Sequence, residues 1–344
     1  MNRLAWLMLV LAACALEAAG PSQTADARPP LTVREALDSY LRGGVGIISR
    51  AASSREFDRI SDNFDGDAAA WIREGGPEET VRRRLAAATF ALEVGRQVFF
   101  ANEDPNALSL LVWASAEMRT GQPSAGERLW RQALIAVLQG SVELRAVDRE
   151  LNLARARFPD EPRWLILRAW HTEIINRTPP TPFRPAPLEG SAQIQSAVIK
   201  AYEDALRVPV LQAEAHTRLA FIRLSQGRTA EAIEHATEGA KLTTEPDIRL
   251  LAHLFRGWAL TRSGRAAEAI EAYRTACAAM PTSQSAAMWL ARSLFLDGQR
   301  VEAEAVVDAT LRTGQGISDP WRLYPRGDIR LWPALIAQLR EAIR

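Results

Sequence analysis

The sequence predicts an all-α fold, a right-handed α-solenoid of antiparallel helix pairs, and three observations predict it. The stretch Gly227-Arg228-Thr229-Ala230-Glu231-Ala232-Ile233-Glu234 recurs 37 residues later as Gly264-Arg265-Ala266-Ala267-Glu268-Ala269-Ile270-Glu271, with seven of eight positions identical. A weaker copy begins 34 residues further on at Gly298, with Glu302 and Ala303 in register. Self-similarity at a period of about 34 residues marks stacked helix–turn–helix units, none of which can bury its apolar face alone. Outside the copies, apolar residues recur at helical spacing, and Gly and Pro fall where the pattern breaks.

The N-terminal part reads as an irregular helical region over 31–103. Thr32-Val33-Arg34-Glu35 forms a capping box, in which the two polar side chains satisfy orphan amides at a helix start. Val33, Leu37, Tyr40 and Leu41 supply the apolar stripe, Gly43 and Gly44 end it, and a short second helix follows to about Ala52. The polar run 62–66 reads as a loop. Gly75-Gly76-Pro77 with Glu78 and Glu79 starts a long helix to about Phe100, with proline at the entrance and acids in the first turn.

From 104 to 317 the chain reads as the solenoid. Helices are expected over 107–120, 124–138, 142–158, 162–176 and 193–207, in approximate register with the later copies. Pro179, Pro180, Pro182, Pro185 and Pro187 interrupt this region, and a helix cannot continue where backbone donors are missing. The segment 177–190 is therefore an expected insertion, either a surface loop or a polyproline ligand. Residues 318–344, with Trp332, Leu335, Ile336, Leu339 and Ile343 on one stripe, are expected to be a closing cap over the last repeat.

The repeats resemble the tetratricopeptide repeat. Counting Leu250 as position one, Gly257, Gly264, Ala269, Tyr273, Ala276 and Pro281 fall at positions 8, 15, 20, 24, 27 and 32. Small residues at 8, 20 and 27 allow two helices to approach closely, and the bulky residue at 24 fills the space between them. Units beginning at Ala213 and Gln284 match in part, and the likeness does not reach 31–103. It implies that first helices line a concave face that binds a peptide or partner segment. Position 9 of successive units reads Trp170, Phe221, Trp258 and Arg292, with Thr217, Leu254, Arg262 and Met288 on the same face. Aromatics and Arg dominate binding hot spots, but the same rings could instead pack against the next first helix.

The extreme N-terminus carries an address. Met1-Asn2-Arg3 precedes thirteen apolar residues ended by Glu17, too short to span a bilayer, so 1–13 reads as a signal peptide. Leu11-Ala12-Ala13-Cys14 resembles the bacterial lipoprotein box, which implies lipidation at Cys14 and membrane attachment; cleavage of an ordinary signal after Ala13-Cys14-Ala15 is the alternative. The segment 14–30 is poor in bulky residues and reads as a flexible tether. An exported protein, periplasmic or membrane-anchored, follows as the expectation.

Composition excludes some functions. With 24% charged residues and a formal net charge of +1, nothing suggests a nucleic-acid partner. His171, His216, His235 and His253 have no metal-binding spacing, and Cys277 is expected as a small buried thiol. No phosphate loop, nucleophile elbow, HExxH, CxxC or dinucleotide turn is present, so neither an enzyme nor a cofactor is expected. The expected function is a cell-envelope adaptor that binds a protein or peptide partner on its concave face. A structural subunit using convex or N-terminal surfaces is the alternative.

Overall fold

A computed structural model describes residues 29–102, 106–139, 144–176, 192–313, 319–324 and 332–344. The signal segment, Cys14, most of the tether and the Pro-rich insertion 177–190 lie outside the described residues. Among the described residues the fold is all-helical, without a strand.

The N-terminal region comprises α1 (Val33–Leu41), α2 (Gly46–Ala51), α3 (Ser54–Arg73) and α4 (Pro77–Asn102). The capping box is present at α1: Thr32 Oγ1 accepts from the Glu35 amide, and the Glu35 carboxylate accepts from the Thr32 amide. Helix α3 runs straight through 62–66, where a loop was expected. Phe57, Ile60, Phe64, Ala68 and Trp71 hold one buried stripe, while Asp62, Asn63, Asp65, Gly66 and Asp67 are exposed. The polar run is the solvent face of an amphipathic helix.

Helices α5 (Asn106–Glu117), α6 (Ala125–Gln139), α7 (Leu144–Arg157), α8 (Arg163–Ile175) and α9 (Ala192–Ala205) continue the stack. A buried ion cluster joins three of them. Arg131 Nε donates to Glu127 at 2.8 Å and Nη1 to Glu150 at 3.1 Å, while Ser115 Oγ donates to Glu150 at 2.8 Å.

The regular repeats pair α10 (Gln212–Ser225) with α11 (Thr229–Lys241), α12 (Pro246–Arg262) with α13 (Ala266–Ala279), and α14 (Gln284–Leu296) with α15 (Arg300–Thr313). Within each pair the turn glycine, Gly227, Gly264 or Gly298, has φ between +74° and +85°, a region side chains disfavour. This explains why the repeated motif begins with glycine. At Gly257 the constraint is close approach: a Cβ there would lie 2.6 Å from Cδ1 of Tyr273, so the α12–α13 contact requires glycine.

The tail departs from the expected cap. Helix α16 (Pro320–Leu323) sits against α12, while α17 (Trp332–Ile343) packs chiefly on α4 and α6, near the other end of the chain. Trp332, Leu335, Ile336, Leu339 and Ile343 join the N-terminal core rather than closing the last repeat. Their destination is fixed by specific bonds. Arg340 Nε donates to Glu93 at 3.0 Å, and the Tyr40 hydroxyl donates to the same carboxylate at 2.6 Å. Arg96 lies over the Trp332 ring at 4.6 Å, and Arg82 donates to the Ile343 carbonyl. Burial, together with the Glu93 charge, raises the Tyr40 phenol well above its ordinary value and keeps it a donor.

Two glycine substitutions test this packing. Gly257→Ala overpacks α12 against Tyr273 and should cost about 1–3 kcal/mol in urea unfolding. Gly66 sits exposed within α3 with nothing within 4 Å of an added Cβ. Gly66→Ala should therefore stabilise the protein by about 0.5–1 kcal/mol. A loss at Gly66 would return 62–66 to a loop.

Candidate protein-binding face

The first helices α8, α10, α12 and α14 bring the expected site residues to neighbouring positions, but most are not open to solvent. Trp170, Phe221 and Trp258 are buried, as are Thr217 and Leu254. Thr217 faces the wrong way for a ligand: its hydroxyl donates to the Ala213 carbonyl at 2.8 Å and packs against Gly239 of α11. Leu254 belongs to the core between repeats. Only Arg262, Met288 and Arg292 are exposed. Arg262 Nη1 reaches back to the Leu224 carbonyl at 2.8 Å, and Arg292 lies 5.5 Å from the Trp289 ring of its own helix.

The aromatic row is covered by the tail, and this corrects the expectation of an open groove. Trp321 stands edge-on to Trp258 with centroids 4.8 Å apart and to Phe221 at 5.5 Å. Tyr324 stands edge-on to Phe221 at 5.0 Å and to Phe255 at 5.3 Å. Each such pair contributes roughly 0.5–1.5 kcal/mol beyond its buried area. A turn of helix explains the geometry. Asp319 accepts from the Trp321 amide at 3.1 Å, Pro320 occupies the first helical position, and the i, i+3 spacing puts both rings on one side. The other Asp319 oxygen accepts from the Ser285 amide at 2.8 Å and the Ser283 hydroxyl at 3.2 Å, at the start of α14.

Beneath Tyr324 lies a buried polar cluster. Arg218 is fully buried, its guanidinium 3.9 Å from the Tyr324 centroid and 4.5 Å from that of Trp170. Its Nε donates to Glu214 at 2.9 Å, and Nη1 lies 3.8 Å from Glu173. Glu173 also accepts from the hydroxyls of Tyr202 and Tyr324. Burial, and then the Glu173 charge, hold the Tyr202 phenol far above its ordinary value. Sequence reasoning missed Glu173, Arg218, Trp321 and Tyr324. The i, i+4 spacing of Glu214 and Arg218 was a legible signal, but it is shared by many solvated pairs.

A second cluster lies between α10 and α11, where His216 Nδ1 and His235 Nδ1 are 2.9 Å apart. One ring donates to the other, so both cannot carry this N–H at once. Burial holds His216 below its ordinary value, and burial with the neighbouring His216 pushes His235 down to about 4. Cys277 is half-buried, and burial raises its thiol to about 11, so it stays protonated at neutral pH. Among the described residues no group of three or more His, Cys, Asp and Glu is placed to hold a metal ion, and no helix is long and apolar enough to cross a membrane.

Residues 260–324 match the tetratricopeptide repeat. The matched stretch runs from the end of α12 through the last repeat to Tyr324. Tetratricopeptide repeats generally mediate protein–protein interaction, and the helical solenoid seen here agrees with that architecture. A comparison with curated proteins found no match.

Arg218→Met should cost about 3–5 kcal/mol in equilibrium unfolding, because Glu173 and Glu214 lose their buried partner. A cost below about 1 kcal/mol would contradict a dry site. The histidines predict a pH dependence. The folded values of His216, His235 and His253 lie below the unfolded value near 6.5, His235 and His253 at about 4. Protons therefore bind the unfolded chain preferentially, and stability, complete above about 6.5, falls as pH drops toward 4. His235→Gln should flatten the slope of melting temperature between pH 6.5 and 5; an unchanged slope would remove this pair from the account.

Proposed function

We propose that the chain is a non-catalytic scaffold of the bacterial cell envelope that recruits a protein segment through its first-helix face. The observation that carries this reading is that the face already holds a segment. Asp319, Trp321 and Tyr324 are bound by a helix start, an aromatic wall and a buried polar floor. A surface able to hold one short motif within the chain has the chemistry to hold another from a partner. Beside the covered rings, Arg262, Met288 and Arg292 remain exposed as a rim toward the last repeat.

The envelope address rests on the N-terminal residues. Leu11-Ala12-Ala13-Cys14 fits a lipidation signal behind a short apolar run, with 14–30 as a tether between membrane and body. A lipid at Cys14 would keep the scaffold at a membrane surface, where two signals of attachment, lipid and bound partner, reinforce each other.

A second reading, a fixed subunit of an envelope complex, is favoured by apolar residues exposed on the last repeat. Among the described residues, the last repeat exposes Phe295, Leu296, Val301, Val307 and Leu311, Val301 at 83% and Leu311 at 76%. Large apolar side chains exposed together on one repeat suit a contact with another protein.

Crosslinking capture from envelope fractions separates the two. Met288→Glu with Arg292→Glu should abolish the partner band at unchanged melting temperature if the first-helix face recruits. Retained capture, lost only in Val301→Asp with Leu311→Asp, would favour the fixed subunit. Cys14→Ser should move the protein from the membrane to the soluble envelope fraction, and an unchanged membrane fraction would refute lipid attachment.

A further inference from the structure

The binding residues and their resident segment together define what the face recognises. Three subsites lie in sequence along the first helices, running opposite to the repeat order. At the start of α14, the Ser285 amide and Ser283 hydroxyl hold one carboxylate oxygen of Asp319. Next, Phe221, Phe255 and Trp258 surround the Trp321 ring. Last, Arg218 lies under the Tyr324 ring and Glu173 accepts from its hydroxyl. An acid, a proline and two aromatics three residues apart, folded as one helical turn, is the shape that satisfies all three at once.

The resident segment does not exhaust the site. Neither Arg218 Nη1 nor Nη2 has a hydrogen-bond partner among the described residues, and neither does Trp258 Nε1. Buried donors without acceptors weaken an occupant relative to one that supplies them. The segment is held by polar contacts as well as by its rings: Asp319 accepts two hydrogen bonds from the start of α14, and Tyr324 donates one to Glu173 at 3.3 Å.

We propose that the face formed by α8, α10 and α12 with the start of α14 is a recognition site for a one-turn Asp-Pro-aromatic-x-x-aromatic motif in a partner protein, and that residues 319–324 are its resident competitor. The proposal deepens the scaffold reading and rests on it, by naming the partner segment. Recruitment then requires displacement of the tail. The partner gains where it offers a carbonyl or carboxylate to the Arg218 and Trp258 donors.

The test uses the full chain and a fluorescein-labelled synthetic peptide with the sequence of residues 316–326. Anisotropy is read on the wild type, on Asp319→Ala, which removes the bonds to the start of α14 and to the Trp321 amide, and on Trp321→Ala, which empties the central subsite. Near-ultraviolet circular dichroism reports folding. The expected result is peptide binding at least tenfold tighter to the folded variants than to the wild type, and abolished when the peptide's own Trp and Tyr are replaced by Ala. Equal binding to wild type and folded variants, or none to any, overturns the proposal. If Trp321→Ala unfolds, Asp319→Ala decides alone; if both unfold, the tail is part of the core and the proposal falls. Peptide binding fails independently of the scaffold reading: capture that still depends on Met288 and Arg292 would leave recruitment standing and remove only this motif.

Discussion

Arg218 has no route to water, so its charge must be matched where it lies. Removing a guanidinium from solvent costs several kcal/mol, and only close carboxylates and ring faces offset that cost. Glu214 lies one turn earlier on α10, Glu173 comes across from α8, and the rings of Trp170 and Tyr324 lie against the guanidinium. Three of these four come from the repeats and their neighbours. The fourth comes from a segment more than a hundred residues away in the chain, so completing this site fixes the course of the tail.

Once Tyr324 is placed, much of the remaining architecture follows. Asp319 is left at the start of α14, and α17 is carried toward α4 and α6, where Glu93 binds both Arg340 and Tyr40. The tail therefore ties the last repeat, the first-helix face and the N-terminal helices into one unit. Among the described residues, Val301 and Leu311 of the last repeat stand in solvent.

The repeats were legible because their constraints are local. Gly264 is demanded by a turn with positive φ, and Gly257 by the Tyr273 ring pressed against it, and both stand at fixed offsets in the sequence. Position 9 likewise showed Trp170, Phe221 and Trp258 as a row. What covers the row could not be read from that spacing, since periodicity reports which face is apolar and not what meets it. The stripe in 332–343 was visible for the same reason, while its partner was not: a helix that caps and a helix that straps carry the same pattern. At 62–66 the error was one of scale. Asp62, Asn63, Asp65 and Gly66 around Phe64 resemble a loop until Ile60 and Ala68 are read with Phe64 as one helical face.

Hydrogen–deuterium exchange on the intact chain, compared with Tyr324→Ala, tests the central claim most directly. If the tail crosses the first-helix face, the substitution should speed exchange in α8, α10 and α12 while α15 is unchanged. Faster exchange confined to α14 and α15 would mean that the tail closes the end of the solenoid after all, and would contradict the account.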